Sequence, residues 1–212
     1  MAALNVAPTK TNLIELKSRL EFATLGHELL DQKRNILVNE LLGHVDRAEA
    51  FLSECNAAIA VAFRHLLEAA RRTGIVELGH IASSVDISSE IELTRRRVMG
   101  VALPIVETEF SEHPPYFSSI GSSVWIDSAI ARFKAALEIT GKLAETKISI
   151  VRLSREVKKT IRKVNALEKI AIPDLEETVT TITERLDEAE REMFVLMKAV
   201  KSRLTAARRH HE

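Results

Sequence analysis

The chain is predicted to be mainly α: a long antiparallel two-helix coiled coil of N- and C-terminal helices, joined by a short irregular connection with a β-hairpin. Three observations predict this. Pro8 is followed by no proline until Pro104. Apolar residues recur at alternating steps of three and four on either side of a central segment. Most of the glycines and prolines, with a cluster of serines, fall inside that segment. The expected organisation is residues 1–73 as the N-terminal coiled-coil helix, 74–122 as the connection, and 123–212 as the C-terminal coiled-coil helix.

Between Thr9 and Arg72 only Gly26 and Gly43 weaken a helix. Thr9 or Thr11 is suited to cap its start and Gly74 to end it. Such a helix would be about 95 Å long, too long for an ordinary globular domain, so it calls for a partner helix along its length. The seam begins at Leu13, Leu16, Leu20 and Ala23 and continues through His27, Leu30, Arg34, Leu37 and Leu41. Leu37, Leu41 and Val45 are two successive steps of four, a stutter that locally unwinds a supercoil. Ala48, Leu52, Cys55, Ile59, Ala62 and Leu66 carry the seam on as knobs for a facing helix.

Ser123 is suited to cap the second helix, whose seam includes Ile126, Ile130, Phe133, Leu137, Val157, Ile161 and Val164. Pro173 lacks an N–H and crowds the preceding turn, so it predicts a kink. Beyond it the seam reads Leu175, Val179, Ile182, Leu186, Ala189, Met193, Leu196, Val200 and Leu204. The connection holds Gly74, Gly79, Gly100, Pro104, Pro114, Pro115 and Gly121. Residues 87–98 partly alternate and 101–110 are apolar and β-branched. Gly100 lies between them, which predicts a hairpin.

The composition excludes more than it assigns. Net charge is zero, which argues against steering toward nucleic acid or anionic lipid. Arg95, Arg96 and Arg97 form a short basic run without an aromatic platform. Cys55, the single cysteine, allows neither an intramolecular disulfide nor a cysteine zinc site and fits a reducing compartment. Residues 1–10 have no apolar signal core. No continuous apolar run approaches the roughly 18 residues of a membrane span, so no direct membrane insertion is expected. No phosphate-binding glycine loop occurs. His27-Glu28 starts like a zinc-protease motif, but Asp31 stands where the second histidine belongs. His27, His44 and His65 are spaced too widely to converge on one metal. Carboxylates between Asp174 and Glu192 read as a solvated helix face or, alternatively, a face for a basic partner. No catalytic residue, cofactor or metal site is expected; the pattern is that of a mechanical or assembly element.

Two segments carry more than periodicity. One is Pro8-Thr9-Lys10-Thr11-Asn12-Leu13 with Gly26-His27-Glu28-Leu29-Leu30-Asp31-Gln32-Lys33-Arg34. The other is Arg162-Lys163-Val164-Asn165-Ala166-Leu167-Glu168, followed by Ile172-Pro173 and then Glu190-Arg191-Glu192. With Gly100-Val101-Ala102-Leu103-Pro104 between them, they resemble the D subunit of the rotary V/A-type ATPases, in the short prokaryotic form. Lys163 stands where that family usually has Arg, and the stretch from Met193 to Met197 is less charged than is typical.

The resemblance implies a central rotor shaft that couples ATP hydrolysis or synthesis to ion transport. Its partners would be the catalytic A and noncatalytic B subunits of a hexamer, the F subunit, and the funnel-shaped stalk subunit at the membrane ring. The complex would be peripheral, on the cytoplasmic side of the membrane. Hexamer contacts are expected from Pro8, Thr9, Asn12, Leu13, Gly26, Leu30, Lys33, Arg34, Arg162, Asn165, Glu168, Pro173, Val200, Lys201, Arg203 and Leu204. Contacts to the F subunit and the foot are expected from Ile91, Leu93, Arg97, Gly100, Val101, Leu103 and Pro104. The alternative reading is a generic coiled-coil scaffold or tether.

Overall fold

The structure, a computed structural model, describes residues 6–112, 115–118 and 122–209. Pro114 and Gly121, two of the expected turn residues, lie outside that set, as do residues 1–5 of the N-terminal segment. Helix α1 spans Lys10–Thr73, α2 Ile75–Ser84, strand β1 Ile87–Val98, β2 Val101–Glu112, α3 Val124–Ala166 and α4 Ile172–Arg209. A π turn, Leu167–Ala171, joins α3 to α4.

The caps follow from the residues at each end. Thr9 Oγ1 accepts the Asn12 N–H at 3.2 Å, and Asn12 Nδ2 donates back to the Ala7 carbonyl at 2.8 Å. Ser123 Oγ accepts the Trp125 N–H at 3.4 Å at the start of α3. Gly74 has φ +89° and its N–H donates to the Ala70 carbonyl at 2.9 Å, ending α1 as a left-handed glycine does. Its own carbonyl accepts the Leu78 N–H at 3.0 Å, so the same residue opens α2. Where Pro173 predicts a kink, the chain holds the π turn: the Ile172 N–H reaches back five residues to Leu167. That widened turn accommodates a residue with no N–H of its own, and π turns are a recognised cause of helix bending.

The hairpin is antiparallel with an unbroken register from Ile87↔Glu112 to Val98↔Val101. Its turn is Met99-Gly100, with φ +47° and +85°, the two left-handed residues a twisted two-residue hairpin turn requires. The connection also contains α2, which the turn-rich reading of 74–122 did not anticipate. Gly79, read as a turn signal, sits inside that helix.

The chain divides into two compact units, Met1–Arg34 with Lys159–Glu212, and Asn35–Lys158. In the second unit α1 and α3 run antiparallel. Cys55 Sγ lies 3.4 Å from Thr140 Oγ1, the Phe63 and Phe133 rings meet edge-on at 5.4 Å, and Ser128 Oγ is 2.8 Å from His65 Nδ1. Numbers rise on one helix as they fall on the other. Leu37, Leu103, Leu153 and Val157 form the buried cluster, with Val38, Leu41, Val98 and Val101 packed against it. In the first unit Leu16, Val164 and Ile182 are buried. There Lys10 Nζ lies 2.6 Å from Glu190 Oε1, so the start of α1 sits beside the later part of α4.

The seams differ from expectation at particular positions. His44 is buried more deeply than Val45, so steps of four and three replace the expected stutter. Leu52, Leu137 and Ile161 lie on exposed faces, while Ala136, Thr146, Thr160 and Thr178 are buried. The seam expected from Met193 to Leu204 has no facing helix among the described residues: every residue from Asp187 to Leu204 is exposed. Helix α1 also contains an 18-residue window of mean hydropathy 1.2. By length and composition alone that meets a membrane-span threshold, although no continuous apolar run does.

Candidate interaction surfaces

The hairpin is held to α3 through the outer edge of β2. Glu145 Oε2 accepts the Val106 N–H at 2.9 Å, and Arg152 donates to the Ala102 carbonyl at 2.7 Å. Gly141 allows the approach, because a Cβ there would stand 3.0 Å from Thr108 Oγ1 and 3.6 Å from Val106 Cγ1. Residues 141, 145 and 152 share one face of α3.

This geometry separates the expected hairpin contacts into two groups. Leu103 is 3% exposed and lies in the core with Leu37, Leu153 and Val157. Pro104 is also buried, and Val101 packs against the core cluster. Leu103 and Pro104 are therefore covered by the chain's own helices, and Val101 is half-buried beside them. Alternation in β2 puts apolar residues on both faces, which concealed which face meets α3. Ile91 and Leu93, by contrast, are 58% and 66% exposed on the outer strand. Arg97 and Gly100 are exposed as well.

The residues expected to face the hexamer do not form one patch. Pro8, Thr9 and Asn12 belong to the cap of α1. Leu13 and Leu30 are half-buried on the seam. Arg34 pairs with Asp31 at 2.6 Å, and Lys33 is half-buried. Gly26 has nothing within 4 Å of the position a Cβ would take, so α4 does not crowd it. Arg162, Asn165 and Glu168 are exposed, and Pro173 is half-buried after the π turn. Val200, Lys201, Arg203 and Leu204 are exposed in the last turns of α4.

The exposed surface there is broader than the residues expected from it. Met193, Phe194, Val195, Leu196, Met197, Val200 and Leu204 are each more than half exposed. Five consecutive apolar residues cover every direction around a helix, and a helix apolar all round belongs in a protein interior. A second surface was missed by the seam reading. Ile14, Phe22, Leu25 and Leu29 are exposed on α1. Three of them follow the seam positions Leu20, Ala23 and His27 by two residues, and that offset repetition is the signal that marks a second stripe.

Among the described residues no group of three or more His, Cys, Asp or Glu converges on a point. An apolar cavity of about 360 Å³ lies between α1, α2, the hairpin and α3. It is lined by Leu66, Leu78, Ile81, Phe110 and Phe133, with Ser89 and Lys134 as its polar groups. His44 is 6% exposed and neither ring nitrogen has a hydrogen-bond partner. Burial first, then Arg47, pushes its imidazole below the ordinary value, against the opposing pull of Glu40 and Glu145.

Residues 12–202 match the family described as the ATP synthase D subunit. The chain is 41% identical over 206 residues to the A-type ATP synthase D subunit of Thermococcus sibiricus, covering 96% of each chain. It is 38% identical to the A-type ATP synthase D subunit of Pyrococcus furiosus over 96% of each. It is 33% identical to the V-type ATP synthase D subunit of Thermotoga neapolitana, covering 95% of this chain and 99% of the other.

Proposed function

Because the chain belongs to the family of ATP synthase D subunits, the central-stalk component of rotary ATPases, we propose that it turns inside a hexamer of A and B subunits. In this reading it couples ATP hydrolysis or synthesis there to ion transport through the membrane ring. The observation that carries it is the end of α4. Met193, Phe194, Val195, Leu196 and Met197 expose apolar side chains in every direction around the helix, and Val200 and Leu204 extend that exposed surface. A bearing formed by the inside of a ring covers a helix from every direction, whereas a single docking helix covers one side.

The mechanism needs asymmetry and stiffness. Two unequal packed helices have no threefold symmetry, so they present a different face to each of three equivalent catalytic interfaces. Each face favours a different state, and that difference in contact energy couples shaft angle to nucleotide affinity. Packed antiparallel helices transmit torque better than a loop. In this reading ATP binds the hexamer and this chain is non-catalytic. The hairpin side holds the F subunit and the funnel-shaped stalk subunit, and the complex works on the cytoplasmic side of its membrane.

The test is removal of Lys198 onward. The truncated chain is expected to assemble but to pump fewer ions per ATP hydrolysed. Undiminished pumping per ATP would leave the chain a passive tether.

A further inference from the structure

The hairpin has one occupied edge and one open edge. In an antiparallel pair a residue points both its N–H and its C=O either toward the partner strand or away from it. The Val106 N–H goes to Glu145, so Val106 points away from β1, and its partner Leu93 therefore points away from β2. The same parity holds for Ile91↔Thr108, Arg95↔Pro104 and Arg97↔Ala102. Two facts agree with it. The outward Ala102 carbonyl is the one Arg152 reaches, and Pro104, which has no N–H, stands where the ladder needs none. Thus β2 has its outer edge engaged by α3. Strand β1, 12 residues long, has only β2 as a strand neighbour among the described residues. Its outer edge offers the N–H and C=O groups of Ile91, Leu93 and Arg95 in a row.

The side chains along that edge differ by face. Ile91 and Leu93 lie more than half exposed on one face. On the other, Glu90 stands opposite Glu109 and Glu92 opposite Glu107. Like charges directly opposed across a strand pair repel, and a neighbouring cation on that face would relieve the repulsion. Isolated two-stranded ribbons are marginal, and a long open edge is a template for another strand.

We infer that the free edge of β1 takes an extended strand from a neighbouring protein of the complex, whose residues alternate between aliphatic and Lys or Arg. The aliphatic side chains cover Ile91 and Leu93, and the cations meet Glu90 and Glu92. The main-chain hydrogen bonds supply affinity and the alternation supplies specificity. This deepens the reading that the hairpin side holds the stalk partners, and it rests on that reading.

Residue-resolved amide exchange, in the isolated chain and in the whole complex, tests it. Amides of Ile91, Leu93 and Arg95 are expected to exchange freely in the isolated chain and at least about tenfold more slowly in the complex. Glu90, Glu92 and Thr94, whose amides face β2, change little. Edge amides that stay fast in the complex overturn the inference. Edge amides already protected in the isolated chain, in step with its concentration, reveal a second copy as the occupant and also overturn it. Leu93→Pro removes an edge donor without breaking the β1–β2 ladder, and Leu93→Ala removes only the side chain. Proline should weaken partner retention about tenfold beyond alanine; equal effects mean side-chain docking alone and sink the proposal. Replacing residues 87–110 by a Gly-Ser linker separates the two failures. Retention of every stalk partner by that variant refutes the hairpin attachment itself, whereas loss of a partner with fast edge amides refutes only the added strand.

Discussion

Glu145 on α3 accepts the backbone N–H of Val106 at 2.9 Å, so a helix side chain completes the outer edge of a two-stranded sheet. The contact spans 39 residues of sequence and is partly buried. It fixes which way the hairpin faces, and through the parity of the ladder it fixes which backbone groups of β1 remain open.

Glu145→Ala should therefore loosen the hairpin while leaving the helices formed. A partly buried N–H that loses a charged acceptor costs about 1–3 kcal/mol. Denaturant unfolding should show a loss in that range, and the Val106 amide should exchange faster. Glu145→Gln keeps an acceptor and should lose less. Equal stability of the alanine variant and the parent would mean the bond contributes nothing net.

Gly141 makes the same attachment possible by having no side chain. A Cβ would stand 3.0 Å from Thr108 Oγ1, tighter than ordinary contact. Gly141→Leu should push β2 from α3 and cost about 1–3 kcal/mol through overpacking, despite the better helix propensity of leucine. Co-purification of the stalk partners should fall with it. A more stable Gly141→Leu chain would show that the hairpin gives way freely.

The sequence displayed the parts of this fold that depend on local chemistry. Thr9, Ser123 and Gly74 have the side chains, or lack of one, that helix ends demand, and Gly100 has the freedom its turn requires. Other features depended on tertiary context. Thr146 and Thr178 are buried, yet each hydroxyl donates to the carbonyl four residues back, at 2.8 and 2.6 Å, so their outer surface is a methyl group. A seam traced by apolar residue type passes over them. Helix α2 was hidden by Gly79 and by its shortness, although Leu78, Ile81 and Ala82 turn one apolar face to the cavity. The exposed end of α4 read as an ordinary seam because periodicity cannot say whether a facing helix extends as far. Which strand of the hairpin meets α3 rested on Gly141, Glu145 and Arg152, residues whose spacing matters only once the hairpin is placed.

His44 gives the isolated chain a pH dependence of definite sign. Its imidazole is held below the ordinary value by burial and Arg47, with Arg96 adding to this and Glu40 and Glu145 opposing it. The unfolded chain takes up the proton near about pH 6.5, and the folded chain does so only at lower pH. The His44 contribution to stability is therefore complete above about pH 6.5 and is lost as pH falls through the interval below it. His44→Leu should flatten that part of the curve. Denaturation midpoints near about pH 8 and pH 5.5 compare the two chains; an unchanged difference between parent and variant would remove His44 from the explanation.

The final prediction concerns Gly26. Helix-interior glycine costs about 1 kcal/mol relative to alanine, and a close neighbour is one reason for tolerating it. In this chain nothing lies within 4 Å of the position its Cβ would occupy, so the second helix supplies no such neighbour. Gly26→Ala should consequently stabilise the isolated chain by about 0.5–1 kcal/mol, read from its unfolding midpoint. Gly26→Leu should also melt above the parent, because the space is open and leucine favours helix. Inside the assembled complex the two variants are expected to part. If the hexamer wall approaches the bare backbone, alanine will turn nearly normally and leucine will slow ATP-driven rotation. Both variants rotating at the parent rate would exclude the wall as the reason and leave Gly26 as a neutral substitution in a long helix.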